Sequence, residues 1–231
     1  MPQFQAMWDG ANPPEWMDIF ARIWIALSVL SAAAIAAYLL AGHRQKMKVV
    51  NFVWPLTALY FGPFAILIWR RFGASGKKAE TRKPPLWQSA IVGDTHCGAG
   101  CSLGDFAGEW IVFGTGLTIG RSVLWADIAI DFAFAYAFGL IFQYYAIAPM
   151  RHIHGWRGVR AAAKADTLSL ISFEIGMFAW MAVASELLFH PRLQPGQAVY
   201  WLSMQIAMLV GFATAWPVNM WLIRTGLKEA M

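Results

Sequence analysis

The sequence predicts an all-α integral membrane helical bundle, one polytopic domain over 1–231 with about six transmembrane helices. Three observations predict it. Long apolar runs recur along the chain, separated by turns or basic connectors, and about 20 apolar residues suffice to cross a hydrocarbon core ~30 Å thick. Charged residues make up 13% of the chain against 58% hydrophobic, where a soluble domain carries about a quarter. Thirteen tryptophans and six tyrosines supply the rings that anchor helices at a lipid–water boundary. The same composition excludes other classes. Two cysteines are too few for a disulfide scaffold. The net charge of +5 reads as membrane topology rather than nucleic-acid binding.

The first span, 16–41, follows a short lead containing Pro13 and Pro14. No basic region precedes it, so no cleavable signal peptide is expected. A basic connector with Arg44, Lys46 and Lys48 leads to the second span, 49–69, which Pro55 and Pro63 should kink. The stretch Arg70 to Pro85 is a linker with six basic residues and one acid. The third span, 86–114, is the central one and ends in glycines before Arg121. The fourth, 123–148, carries Asp127 and Asp131 one helical turn apart. A basic loop, Pro149 to Lys164, holds His152 and His154. The fifth span, 167–189, buries Glu174, which shares a face with Met177, Met181 and Ser185. After a short turn the sixth, 197–223, runs without a charge. Lysine and arginine, counted over the connectors, place both termini on the cytoplasmic side, twelve against five.

Within the third span lies Thr95-His-Cys-Gly-Ala-Gly-Cys-Ser-Leu-Gly-Asp105. Wound at about 100° per residue, it puts Cys97, Cys101 and Asp105 on one face, with Asp94 and Glu109 in the same half of the wheel. Leu103, Phe106, Trp110 and Phe113 fall in the other half. Gly100, Gly104 and Gly108 repeat the small-xxx-small spacing that lets membrane helices approach closely. A single buried cysteine is often only a small apolar residue. Two cysteines, a histidine and carboxylates on one intramembrane face are expensive to keep there and point to function. By the same reasoning Asp131 and Glu174 read as functional, whereas Asp127 reads as interfacial. His152 and His154, in a basic loop, read as solvated rather than ligating.

On the sixth span Met204, Gln205 and Met208 share a face. The Met204-x-x-x-Met208 pair resembles the thioether pair of eukaryotic high-affinity copper transporters, although eleven methionines make such spacing common by chance. The central motif resembles the signature of a bacterial membrane family catalogued as domain of unknown function 4396. Three other stretches are similar to that family: Asn51 to Pro63, Lys164 to Leu170 with Glu174, and Tyr200 to Gln205 with Gly211 to Asn219. The resemblance covers Met47 to the C-terminus and implies a polytopic prokaryotic membrane protein; it implies no reaction.

The residues themselves point first to binding or transport of a soft transition metal, Cu(I) or Zn(II), because thiolate, thioether and imidazole suit such ions. His96, Cys97, Cys101, Asp105, Met204 and Met208 are the expected ligands. Asp94, Glu109, Asp131, Glu174 and Gln205 are the expected proton-relay or supporting groups. A thiol–disulfide or quinone-linked membrane oxidoreductase is the alternative, although Cys-x-x-x-Cys is not the usual redox spacing. A structural subunit of a membrane complex is a further one. Expected partners are lipid, a metal ion and a second copy of the chain, with no nucleic acid. The expected location is the bacterial cytoplasmic (inner) membrane.

Overall fold

Helix α1, Glu15–Leu40, buries Ala21, Ser28 and Ser31 over its first part and Ile35 and Leu39 near its end, while Ile23, Leu27, Leu30 and Leu40 are exposed. In water the leucines would turn inward. In lipid they gain nothing by doing so, and small residues go inside because they allow close approach. The hydroxyls of Ser28 and Ser31 donate to the carbonyls of Trp24 and Leu27 at 2.8 and 2.7 Å, so neither is left unsatisfied.

The structure is a computed structural model that describes residues 11–43, 49–73 and 85–229, the side chain of Met150 excepted. Arg44, Lys46 and Lys48 of the first connector, and Lys77, Lys78, Arg82 and Lys83 of the linker, lie outside the described residues. What is described is all-α, with no strand among these residues.

The second expected span is broken. Helix α2, Val50–Phe61, tolerates Pro55 but stops at Gly62, whose φ of 61° only glycine adopts freely. A Cβ there would also come within 2.9 Å of the Trp24 ring. Pro63 then starts the five-residue α3, Phe64–Ile68, which widens into a π turn, Trp69–Gly73.

Helix α4, Leu86–Thr115, begins after Pro85 and ends where Gly116 turns left-handed at φ 65°. Helix α5 is Val123–Arg151, α6 is Gly155–Val183 with a π turn continuing to Leu188, and α7 is Ala198–Arg224. The expected loop from Pro149 to Lys164 is therefore wrong. Pro149 lies inside α5, and α6 starts at Gly155, three residues after the left-handed His152. Arg157, Arg160 and Lys164 are exposed while Gly158, Ala162 and Ala165 are buried, so the charges form one face of an amphipathic helix.

Helix α4 is the centre of the bundle, touching α2, α5, α6 and α7, with α5 as its largest contact. Its glycine ridge makes that contact. A Cβ on Gly100 would lie 2.7 Å from the Gly139 nitrogen, one on Gly104 would meet the Ala135 backbone, and one on Gly108 would meet Asp131. The two backbones touch where side chains would hold them apart.

Among the described residues, four of the seven helices are long and apolar enough to cross a membrane: Glu15–Leu40, Val123–Pro149, Gly155–Leu188 and Ala198–Arg224. They mark a membrane protein. Helix α2 has only 12 residues. Helix α4 has 30, but Asp94, Asp105, Glu109 and six glycines dilute its apolar character.

Candidate intramembrane polar site

The acidic face of α4 turns inward along its whole length. Asp94 and Glu109 are fifteen residues apart, about 22 Å at 1.5 Å per residue. Three groups of polar side chains follow one another along it.

The first surrounds Cys97. Its sulfur lies 3.0 Å from Asp166 Oδ1 and 3.2 Å from Ser169 Oγ, both on α6. Lys228, beyond the end of α7, reaches in to place Nζ 3.1 Å from Asp166 Oδ1 and 3.7 Å from the Cys97 sulfur. Burial works to lower the pKa of that ammonium. The Cys97 sulfur and the Asp166 and Asp94 carboxylates outweigh it and hold the value above the ordinary lysine range. The stabilisation from its pairing is therefore complete at neutral pH and fades only as pH rises past that range. Asn219 of α7 donates from Nδ2 to Asp94 Oδ1.

The second group surrounds Cys101. Its nearest acids are Glu174 of α6 and Asp105, one turn along α4. Both residues are buried; Glu174 lies within hydrogen-bonding reach of the Cys101 thiol, and neither oxygen of Asp105 has a partner. Asp105 also lines a cavity of about 460 Å³ between α1, α2, α4 and α7. Tyr60, Met204, Gln205 and Met208 line it too. Gln205 donates to Ser28 Oγ at 3.3 Å and to the Leu59 carbonyl, fixing α7 against α1 and α2.

The third group closes the far end. Glu109 and Asp131 are buried beside each other and Tyr200. Glu109 and Asp131 reach each other as a carboxyl pair, with Tyr200 beside Glu109, and neither is paired with a base. Asp127 accepts from Arg192 at 2.6 Å. Burial works to lower the pKa of Arg192, but the Asp127 carboxylate more than compensates and raises it. Each end of the path therefore holds a base, Lys228 at one and Arg192 at the other, and the acids between them hold none among the described residues. An unpaired buried carboxylate is costly, so it takes a proton or a cation. Such chains of acids are what proton and ion pathways in membranes are built from.

A family model described as a domain of unknown function, DUF4396, matches residues 86–228. That is well over half of the chain. The chain belongs to the DUF4396 family. No curated protein and no solved structure matches it. The DUF4396 match opens at the first residue of α4 and closes on Lys228, so all three polar groups fall within it. The similar-looking stretch from Asn51 to Pro63 falls outside.

Not every expected residue of this DUF4396 chain joins the site. Cys101, Asp105 and Glu174 come together, and Asp105 shares the cavity with Met204, Gln205 and Met208. Asp94 and Cys97 meet at Lys228, and Glu109 meets Asp131. His96 turns its Nδ1 to the Val92 carbonyl at 2.9 Å and leaves Nε2 unpartnered. Among the described residues no three of His, Cys, Asp and Glu converge as a metal-holding group. Asp127, expected at the interface, is buried and paired. His152 and His154 are exposed, as is Glu186.

Sequence reasoning missed Asp166, Ser169, Lys228, Tyr200 and the role of Arg192. The first two were findable. Asp166, Ser169, Leu170, Phe173, Glu174 and Met177 follow i, i+3, i+4 steps down one buried face of α6. Lys228 lies past the last expected span, 197–223. Nothing in the spacing showed that the tail folds back.

Proposed function

We propose that this protein is a multi-pass carrier of the bacterial cytoplasmic membrane, in which the acids along α4 move protons and a soft transition-metal cation is the cargo. The observation that carries the reading is the run of buried carboxylates that pair with no base among the described residues, Asp105, Glu174, Glu109 and Asp131, beside a cavity large enough to admit a ligand. Protons hop between such groups because each can lose and regain one without moving its backbone. The cargo reading adds Met204 and Met208, whose thioethers line the cavity with Asp105, and Cys101 next to it. Sulfur donors favour Cu(I), with Zn(II) next.

The two cysteines have separate surroundings, Asp166 and Ser169 for one, Glu174 for the other. Both sit on unbroken helix, a poor geometry for a disulfide. This favours the carrier over a dithiol–disulfide cycle.

The test is uptake of Cu(I) or Zn(II) into liposomes holding the purified protein, with internal pH followed by a dye. Metal should enter only as protons leave. Cys101→Ser and the pair Met204→Leu with Met208→Leu should each lose most of the uptake, since a hydroxyl or an alkyl chain replaces a soft donor. Equal uptake in all of them and the wild type would remove the metal from the reading, and a flat pH trace would remove the protons.

The six-crossing arrangement belongs to this proposal: α1, the broken α2–α3 segment, α4, α5, α6 and α7, with both termini cytoplasmic and lipid or a second copy around the bundle. It places the linker from Arg70 to Pro85 in the cytoplasm, by its basic residues. A cysteine replacing Ser75 should then resist an impermeant thiol reagent in intact cells and react after the membrane is opened. Labelling from outside the cell inverts the topology.

A further inference from the structure

The cavity beside Asp105 is mostly apolar. Ile25 and Val29 of α1, Leu103 and Phe106 of α4 and Trp201 of α7 make much of its wall. Phe106 and Trp201 stand together there, ring centroids 5.3 Å apart. The thioethers of Met204 and Met208 add a soft surface that adapts to the shape of what it meets. Its volume of about 460 Å³ falls in the range of pockets that take small organic molecules, ~300–1,000 Å³.

The cavity sits at mid-depth and faces sideways. Ile25 lies ten residues from the start of α1 and Val29 eleven from its end. Each stretch rises roughly 15 Å at 1.5 Å per residue, half of a ~30 Å hydrocarbon core. Val29 and Phe106 are 52% and 56% exposed. Helix α1 packs on α2 and α7 and not closely on α4, so the rim between Val29 and Phe106 faces the acyl chains. A ligand that enters there carries an apolar body.

The free polar atoms of the lining residues are acceptors. Asp105 is 2% exposed, and neither of its oxygens has a partner. No base among the described residues pairs with it. Gln205 Oε1 also has no partner. Its amide cannot be turned to supply a donor, because Nε2 donates to the Leu59 carbonyl and a flip would set oxygen against oxygen. The missing complement is a donor with a positive charge. An ammonium has N–H donors only, and a cation beside aromatic faces gains from their quadrupoles.

We propose that this cavity binds lipophilic organic ammonium ions that enter from the bilayer, with the charged nitrogen at Asp105 and Gln205 and the apolar body against Phe106, Trp201 and the two methionines. The site goes beyond the metal cargo in both ligand and route. It shares Asp105 with the carrier, but it fills from lipid and needs no proton flux to do so.

Dansylcadaverine is the probe. It carries an ammonium on a pentyl chain, and its dansyl ring accepts energy from tryptophan, here Trp201. With the wild-type protein in phosphatidylcholine nanodiscs, energy transfer should saturate. Binding should be at least about tenfold tighter than that of N-pentyl-dansylamide, which has the same body without the ammonium, since a hydrogen bond to a charged group is worth about 1.5–3 kcal/mol. Asp105→Asn should abolish that preference. Val29→Phe, which adds bulk on the lipid-facing rim, should weaken dansylcadaverine binding by about tenfold. Equal affinity for the two probes, or transfer that never saturates, overturns the proposal in the native protein, without reliance on any variant. A preference that survives Asp105→Asn, or binding unchanged in Val29→Phe, overturns it as well. Metal uptake in liposomes separates the two readings. Ammonium binding without uptake of Cu(I) or Zn(II) keeps this site and removes the metal cargo, and uptake with no ammonium preference does the reverse.

Discussion

Asp105→Asn should lower proton flux through the reconstituted protein by at least ~100-fold, the lower end of what a positioned proton-transfer group contributes. Asp105 is the one acid that faces both the Cys101–Glu174 group and the cavity. Asparagine has nearly the same shape but neither takes nor releases a proton, so it interrupts the path at its middle. Neither carboxylate oxygen has a partner to lose. The variant also leaves one acid fewer among Asp105, Glu109 and Glu174, so it should insert normally and melt no lower than wild type. Flux and melting temperature measured on one preparation check both halves. Wild-type flux in Asp105→Asn would take the residue out of the path. Glu174→Gln then asks whether the route runs along α6 instead, and wild-type flux in both would end the relay.

Gly104→Ala should produce the largest loss of stability from a single methyl group, about 3 kcal/mol, the upper end of overpacking costs. The new Cβ would lie 2.5 Å from the Ala135 Cα and 2.8 Å from the Phe134 carbonyl carbon. Backbone cannot rotate away as a side chain can, so α4 and α5 must separate, and with them Glu109 from Asp131. Gly114→Ala is the control on the same helix. Nothing lies within 4 Å of its Cβ position, and its effect should stay within ~0.5 kcal/mol. Thermal unfolding in detergent, followed by aggregation or by helix signal, compares the two. Equal melting temperatures would mean that the ridge is not a tight contact.

Much of the architecture was legible because two signals agree in membrane helices. Apolar run length located α1, α5 and α7 to within a few residues, and small-residue spacing identified the face of α4 that meets α5. The start of α6 was not legible. Its first three turns carry Arg157, Arg160 and Lys164, and a count of charge reads as a loop what a helical wheel reads as one wet face. The inward residues of α4 were readable from periodicity alone, since any acid there must avoid lipid. Which partner each one meets was not, because that depends on other helices. His96 shows the limit. It neighbours Cys97 in sequence, but one step along a helix rotates a side chain by about 100°, and its ring is held by its own backbone instead.

The acid content of α4 bears on how the protein is made. An aspartate at the centre of a helix costs about 2.5–3.5 kcal/mol at the translocon, and α4 carries Asp94 and Asp105 along with Glu109. Alone, such a segment gains little by leaving the insertion channel. Its best lateral partner, α5, is the next helix to be synthesised, joined by a connection of only seven residues, 116–122. Biogenesis then favours release of α4 and α5 as a pair, glycine ridge already closed, before α6 supplies Asp166 and Glu174. The turn at Gly226 is synthesised after α6 and α7, so Lys228 reaches Asp166 once the helices around it have been made.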